Sequence, residues 1–255
     1  MAADTRAAPP SPAFLGRPIV LGPERPDAAV VFLHGHDEGP EAWPERLRPL
    51  RLARPRWRWL HLRAPQLPQA MSRGAPCRAW GNYLRVECTE VGSPDYDNPD
   101  EDGWYAASVA AVHTCVDGLR REHGLPAERV AVVGFSQGAA VALQSALAFP
   151  GRLGGCVGLC GWLLPAARAA LEADGPCKGT PFLLLHGTAD DLVAFACGED
   201  AAARLRAAGA SVALQRYDGL GHGHTWPFRV YGAVLGRFLR EEALREPGEA
   251  FEAAD

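Results

Sequence analysis

Lysine and methionine are nearly missing from this chain: Lys178 is the sole lysine, and Met1 and Met71 are the two methionines. Positive charge is carried by arginines, which are scattered among the acids and leave a net charge of −4. The lysine shortage is read as codon usage. Scattered arginines form no basic stripe that would follow a nucleic-acid backbone, so no nucleic-acid partner is expected. Long apolar runs are lacking too, and none approaches the ~20 residues that cross a bilayer, so no stable membrane insertion is expected. Residues 1–12 are rich in Ala and Pro without the apolar core of a signal peptide. Ala2 excludes the myristoylation pattern, and the last residues carry no prenylation box.

Cysteine is present but unpatterned. Cys77, Cys88, Cys115, Cys156, Cys160, Cys177 and Cys197 are odd in number and match no zinc or CxxC spacing. Cys115, Cys156 and Cys160 lie in apolar stretches and read as small buried hydrophobes. A reducing, cytoplasmic setting is expected, with no metal and no organic cofactor.

With 255 residues, 47% of them hydrophobic, the chain suits one α/β domain over residues 17–242, between flexible tails 1–16 and 243–255. Residues 18–21 and 29–33 read as strands joined at Pro23, Pro26 and Asp27, which suggests a hairpin. A helix is expected over 41–52 and a strand over 57–62. Residues 63–102 look irregular, and an irregular stretch of that length is usually functional or mobile. Its acids, Asp95, Asp97, Asp100, Glu101 and Asp102, lack the glycine and glutamate offsets of a calcium loop and read as a solvated acidic loop.

Tyr105, Val109, Val112, Val116 and Leu119 recur at helical spacing up to Gly124 and Pro126. Strands follow at 154–159, 181–185 and 211–217, and Tyr231, Val234, Leu235 and Phe238 mark a closing helix. Strands alternating with helices call for a mostly parallel sheet with helices on both faces. Reactive groups in such sheets collect beyond the carboxyl ends of the strands.

The organising stretch is Val130-Ala131-Val132-Val133-Gly134-Phe135-Ser136-Gln137-Gly138. A buried strand runs into an alanine-rich helix over 139–148, with the serine at the turn inside Gly-x-Ser-x-Gly. Such a turn holds the serine in strained backbone angles and lifts its hydroxyl clear of the sheet. The flanking glycines are needed because a Cβ there would strike the neighbouring strand or helix.

A serine hydroxyl needs a base to take its proton and an acid to orient that base. In an α/β-hydrolase these follow the serine in the order acid, then histidine. His186-Gly187-Thr188-Ala189-Asp190-Asp191 and Asp218-Gly219-Leu220-Gly221-His222-Gly223-His224 both end strands and supply those types in that order. Asp190 competes with Asp191 for the acid, and His222 with His224 for the base.

Six segments carry a resemblance: Phe32-Leu33-His34-Gly35, Arg63-Ala64-Pro65, the Gly134–Gly138 elbow, Leu159-Cys160-Gly161-Trp162-Leu163, His186–Asp190, and Tyr217-Asp218-Gly219 with His222. Together they resemble the phospholipase/carboxylesterase family of α/β-hydrolases, which contains the acyl-protein thioesterases. The resemblance spans about residues 18–240 and implies the α/β-hydrolase fold. It puts the nucleophile at Ser136, the acid at Asp190 and the base at His222, and makes His34 and His186 shapers of their loops.

One oxyanion donor is the Gln137 N–H, which follows the nucleophile at a helix start. By resemblance, the other is the His36 N–H. The chain departs from its relatives at Asp37-Glu38, where many have glycine then Asp, so Asp37 is expected to tolerate positive φ. It also departs at Gly81-Asn82 after Trp80. Leu67, Met71, Trp80, Leu84 and Trp162 are the candidate lining of an acyl pocket, although tryptophans more often belong to cores.

The implied activity is hydrolysis of carboxylic esters or thioesters through an acyl-enzyme. Substrates would be small-molecule or lipid acyl esters and thioesters, S-acylated proteins among them. A short-chain carboxylesterase or lysophospholipase would use the same residues. The alternative of another class is a catalytically silent binding protein on this fold.

Overall fold

The computed structural model describes residues 15–85, 87–172, 179–223 and 226–244. In chain order these form β1 (Gly16–Leu21), β2 (Ala28–Leu33), α1 (Trp43–Arg46), α2 (Arg48–Ala53), β3 (Trp57–Arg63), β4 (Gln66–Pro68) and β5 (Pro76–Arg78). Then come α3 (Trp104–His123), β6 (Val130–Phe135), α4 (Gln137–Ala148), β7 (Gly155–Leu159) and α5 (Pro165–Leu171). β8 (Phe182–Gly187), α6 (Phe195–Ala207), β9 (Val212–Tyr217) and α7 (Phe228–Phe238) complete the series.

Seven strands make one sheet in the order β1-β3-β2-β6-β7-β8-β9, parallel throughout except that β1 runs antiparallel to β3. Every residue of β2, β6, β7 and β8 is buried, as expected of strands covered on both faces. Their side chains alternate between two cores. Ala29, Val31 and Leu33 of β2 belong to the core that also takes in residues of α3, α4 and α6. Ala28, Val30 and Phe32 pack with Trp43, Leu47 and residues of α7. This is the expected α/β-hydrolase arrangement. Among the described residues no helix is long and apolar enough to cross a membrane.

Several expectations are corrected. β1 and β2 form no hairpin: β2 has β3 and β6 on its two sides, so β1, with its exposed residues, takes the outer edge of β3. The helix expected over 41–52 breaks at Leu47 into α1 and α2. Pro49 lacks the N–H that would bond four residues back, and its ring crowds that carbonyl. The helices α5 and α6 and the β4–β5 ribbon lie where the sequence carries no clear periodicity.

The acidic loop is not simply solvated. Asp95 is 2% exposed and accepts the Leu84 and Arg85 N–H groups at 2.6 and 3.1 Å. Asp100, at φ +56°, accepts the N–H groups of Tyr105 (2.9 Å) and Ala106 (2.8 Å) at the start of α3, satisfying first-turn donors. The packed structure also reaches past residue 242. Ala243 and Leu244 are buried over Gly154 and Gly155, where a Cβ on Gly155 would lie 2.5 Å from that of Ala243.

Candidate active site

Ser136 follows β6, and φ +54°, ψ −122° hold it outside the regions open to ordinary residues. The turn is fixed from both sides. The Ser136 N–H donates to the Leu159 carbonyl at 2.8 Å, and its own carbonyl accepts from Ala139 and Ala140 at 2.9 and 3.2 Å. A Cβ on Gly134 would come within 2.2 Å of the Gly138 carbonyl oxygen, and one on Gly138 within 2.4 Å of that of His34. α4 starts at Gln137, immediately after the serine. The Gln137 N–H therefore has no helical partner and carries the positive end of the helix dipole.

Asp190 follows β8 and His222 follows β9. His222 Nδ1 lies 2.8 and 3.0 Å from the two Asp190 carboxylate oxygens, which fixes the proton on Nδ1 and leaves Nε2 as acceptor. Asp190 is buried. Its Oδ1 also accepts the Leu192 and Val193 N–H groups at 3.0 and 2.9 Å. Burial alone would raise its pKa, but hydrogen bonds from His186, His222 and Val193 outweigh that and hold it well below the usual carboxylate range. Asp191 is exposed beside it, and His224 lies outside the described residues.

Cys160, His186 and Asp190 bring possible ligand atoms within 4.8 Å of one another. Their chemistry is that of a hydrogen-bonded shell rather than a metal site. Burial and the neighbouring Asp190 charge hold the Cys160 thiol protonated, whereas a metal takes the thiolate. His186 Nε2 donates to the Val193 carbonyl at 2.9 Å, and a Cβ on Gly198 would crowd its Nδ1. The sequence suggested a loop-shaping His186 but gave no sign of a thiol behind the acid.

The loop after β2 holds His36, whose N–H is the other expected donor. Glu38 Oε2 accepts the Gly35 N–H at 3.0 Å and the Trp43 indole N–H at 3.1 Å. Asp37 adopts φ +54°, the angle that the missing glycine would have favoured, and its N–H donates to the Arg78 carbonyl at 2.8 Å. His36 lies between these anchored residues. His34 accepts the Ala64 N–H on Nε2 at 3.1 Å, so its Nδ1 donates to the Gly35 carbonyl at 2.7 Å. Burial lowers its pKa and keeps it neutral.

The Gln137 side chain ties the elbow to the next segment. Its Oε1 accepts the Trp80 N–H at 2.8 Å, and Nε2 donates to the Gly81 carbonyl and the Tyr105 hydroxyl, both at 3.1 Å. The Trp80 indole in turn donates to the His34 carbonyl at 2.7 Å. Gly81 has to be glycine because a Cβ would lie 2.4 Å from the Tyr105 ring.

Ser136 and His222 open onto one cleft of about 300 Å³, whose wall includes His36, Glu38, Met71, Tyr83, Thr89 and Leu192. Of the expected pocket residues only Met71 is on this wall. Trp80 and Trp162 are fully buried, Trp80 being held by the His34 carbonyl. Leu67 is buried in β4, and Leu84, its N–H held by Asp95, is not part of the cleft wall. Tyr83, Arg85, Glu87 and Thr89, also on the wall, come from the stretch that reads as irregular and carries no pattern to mark them.

The model of the family described as Phospholipase/Carboxylesterase matches residues 16–227. A probable carboxylesterase of Oryza sativa subsp. japonica is 33% identical over 210 residues, 80% of this chain and 75% of its own. Carboxylesterase SOBER1 of Arabidopsis thaliana is 34% identical over 194 residues, 76% of this chain and 82% of its own. Its crystal structure superposes with a TM-score of 0.72 at 30% identity, covering 84% of this chain and 99% of that one. The crystal structure of Zea mays acyl-protein thioesterase 2 gives 0.67 at 30% identity, covering 88% and 97%. The fold, the strained serine turn and these relatives agree: the chain belongs to the phospholipase/carboxylesterase family of α/β-hydrolases.

Proposed function

We propose that the chain is a serine hydrolase of carboxylic esters and thioesters, with Ser136 as nucleophile, His222 as base and Asp190 as its orienting acid. The observation that carries this reading is His222, locked to the Asp190 carboxylate through Nδ1 and bordering the same cleft as the strained Ser136. The names of the rice, Arabidopsis and maize relatives support the substrate class.

The mechanism follows from these positions. His222 Nε2 takes the Ser136 proton as Oγ attacks the acyl carbonyl. The negative charge that develops on the carbonyl oxygen is met by the N–H groups of Gln137 and His36. The tetrahedral adduct collapses, and the leaving alcohol or thiol departs with the proton from His222. Water, deprotonated by the same imidazole, then attacks the acyl-enzyme and frees the acid. None of these steps calls on a metal or an organic cofactor.

A cleft of about 300 Å³ is at the small end of ordinary ligand pockets and favours short acyl groups over long ones. Hydrolysis of p-nitrophenyl esters from acetate to palmitate tests both parts. Ser136→Ala should fold normally and lose at least about a thousandfold in turnover. The wild type should peak at the short end. A variant that keeps most of its activity would refute the nucleophile, and a palmitate optimum would refute the size argument.

A further inference from the structure

We propose that the Tyr83 hydroxyl is a third donor to the oxyanion, acting beside the N–H groups of Gln137 and His36. This role rests on the hydrolase reading above. Tyr83 shares the cleft wall with Ser136, Thr89, His36 and His222, and its hydroxyl is close enough to Ser136 and Thr89 to feel both. Its ring meets the His36 ring edge-on, with centroids 4.8 Å apart, on the side of the cleft where the second backbone donor lies. The tyrosine is firmly mounted. Its N–H donates to the buried Gln69 Oε1 at 2.9 Å, its carbonyl accepts the Met71 N–H at 2.9 Å, and its ring lies 6.0 Å from Trp162.

A base role is excluded. Burial, with the nearby Asp95 charge, pushes the phenol far above its ordinary pKa, so it stays a neutral O–H donor. In the free enzyme that hydroxyl faces the Ser136 and Thr89 side of the cleft. Once Oγ has attacked, only the carbonyl carbon separates the oxyanion from Oγ, and the hydroxyl turns to it through rotation about the C–O bond and a small tilt of the ring. No bond to Tyr83 forms or breaks, and the proton stays on the phenol. A donor placed where charge appears only in the transition state speeds the chemical step without tightening the ground state.

The test is Tyr83→Phe assayed beside Ser136→Ala, on p-nitrophenyl butyrate and with phenylboronic acid as the probe of a tetrahedral adduct. The expected result is a fall in kcat of about a hundredfold, at the lower end for one oxyanion donor. KM should change by less than about threefold, and phenylboronic acid should lose affinity in step with kcat. An unchanged urea midpoint would show that packing is intact. A kcat within threefold of wild type, or a loss confined to KM, would overturn the proposal. Should Tyr83→Phe fail to fold, 3-fluorotyrosine at this position keeps the hydroxyl and acidifies it, and an unaltered kcat would then be the refuting result. An active Ser136→Ala would instead sink the hydrolase reading itself, so the two failures are distinguishable.

Discussion

Removing the Gln137 side chain should cost the fold and the site together. The amide is fully buried and its bonds are all used, on the Trp80 N–H, the Gly81 carbonyl and the Tyr105 hydroxyl. Gln137→Ala strands two backbone groups that cannot turn away, each worth about 1–3 kcal/mol when left unpaired. The expected loss is therefore about 2–6 kcal/mol, a large part of the ~5–15 kcal/mol that holds a domain together. Because Trp80 also bonds the His34 carbonyl, the loop bearing His36 loosens, and kcat should fall even in the molecules that remain folded.

Gln137→Glu tests the same contacts by charge. One carboxylate oxygen still accepts from Trp80, but the other faces the Gly81 carbonyl, acceptor to acceptor, unless it is protonated. Its folded-state pKa is therefore expected above the ~4.3 of an unfolded glutamate. The folded state then binds more protons than the unfolded one, so stability relative to wild type is best at acidic pH and falls as pH rises through the raised value. Urea unfolding at pH 5 and pH 8, with ester hydrolysis alongside, reads both effects. A cost below about 1 kcal/mol for the alanine variant, or a glutamate deficit equal at the two pH values, would refute the clamp.

Two further outcomes are expected. His61 is buried beside Trp59 and Phe32 with neither ring nitrogen bonded, and burial, aided by the Arg51 charge, lowers its pKa from 6.5 to about 4. The unfolded state binds the extra proton in that window, so stability falls as pH drops from 6.5 towards 4, by about 3 kcal/mol at ~1.4 kcal/mol per pH unit. His61→Leu should remove that loss, and parallel pH–stability profiles for the two proteins would contradict it. Gly138→Ala would put a Cβ 2.4 and 2.5 Å from the His34 and Leu33 carbonyl oxygens, backbone atoms that cannot swing aside. Its melting temperature should drop sharply where that of Gly151→Ala, with its nearest contact at 3.8 Å, does not; equal values would refute the close-packed elbow.

The sheet was legible because β6, β7 and β8 are short valine- and leucine-rich runs between glycines and prolines, a pattern that hardly fits anything but buried strands. The positions of Ser136, Asp190 and His222 were legible because each lies just beyond the carboxyl end of a strand, β6, β8 and β9 in turn. Partner choice was not. Residues 18–21 looked like half of a hairpin, and only the burial of β2 on both edges sends β1 to β3 instead. The cleft wall was also hidden. Tyr83 and Thr89 stand in a stretch without period, fixed by single contacts such as Asp95 with the Leu84 N–H, and such contacts leave no pattern in a sequence. Trp80 and Trp162 misled because a large aromatic ring beside a catalytic loop serves a core as readily as a pocket.

The most direct test of the central claim is to treat the protein with a fluorophosphonate and map the adduct by mass spectrometry, with His222→Ala alongside. One adduct is expected, on Ser136, formed much more slowly in the variant because the base is gone. A folded protein that takes no label, or takes it on another residue, would contradict the account and leave a silent binding protein on a hydrolase fold as the better description.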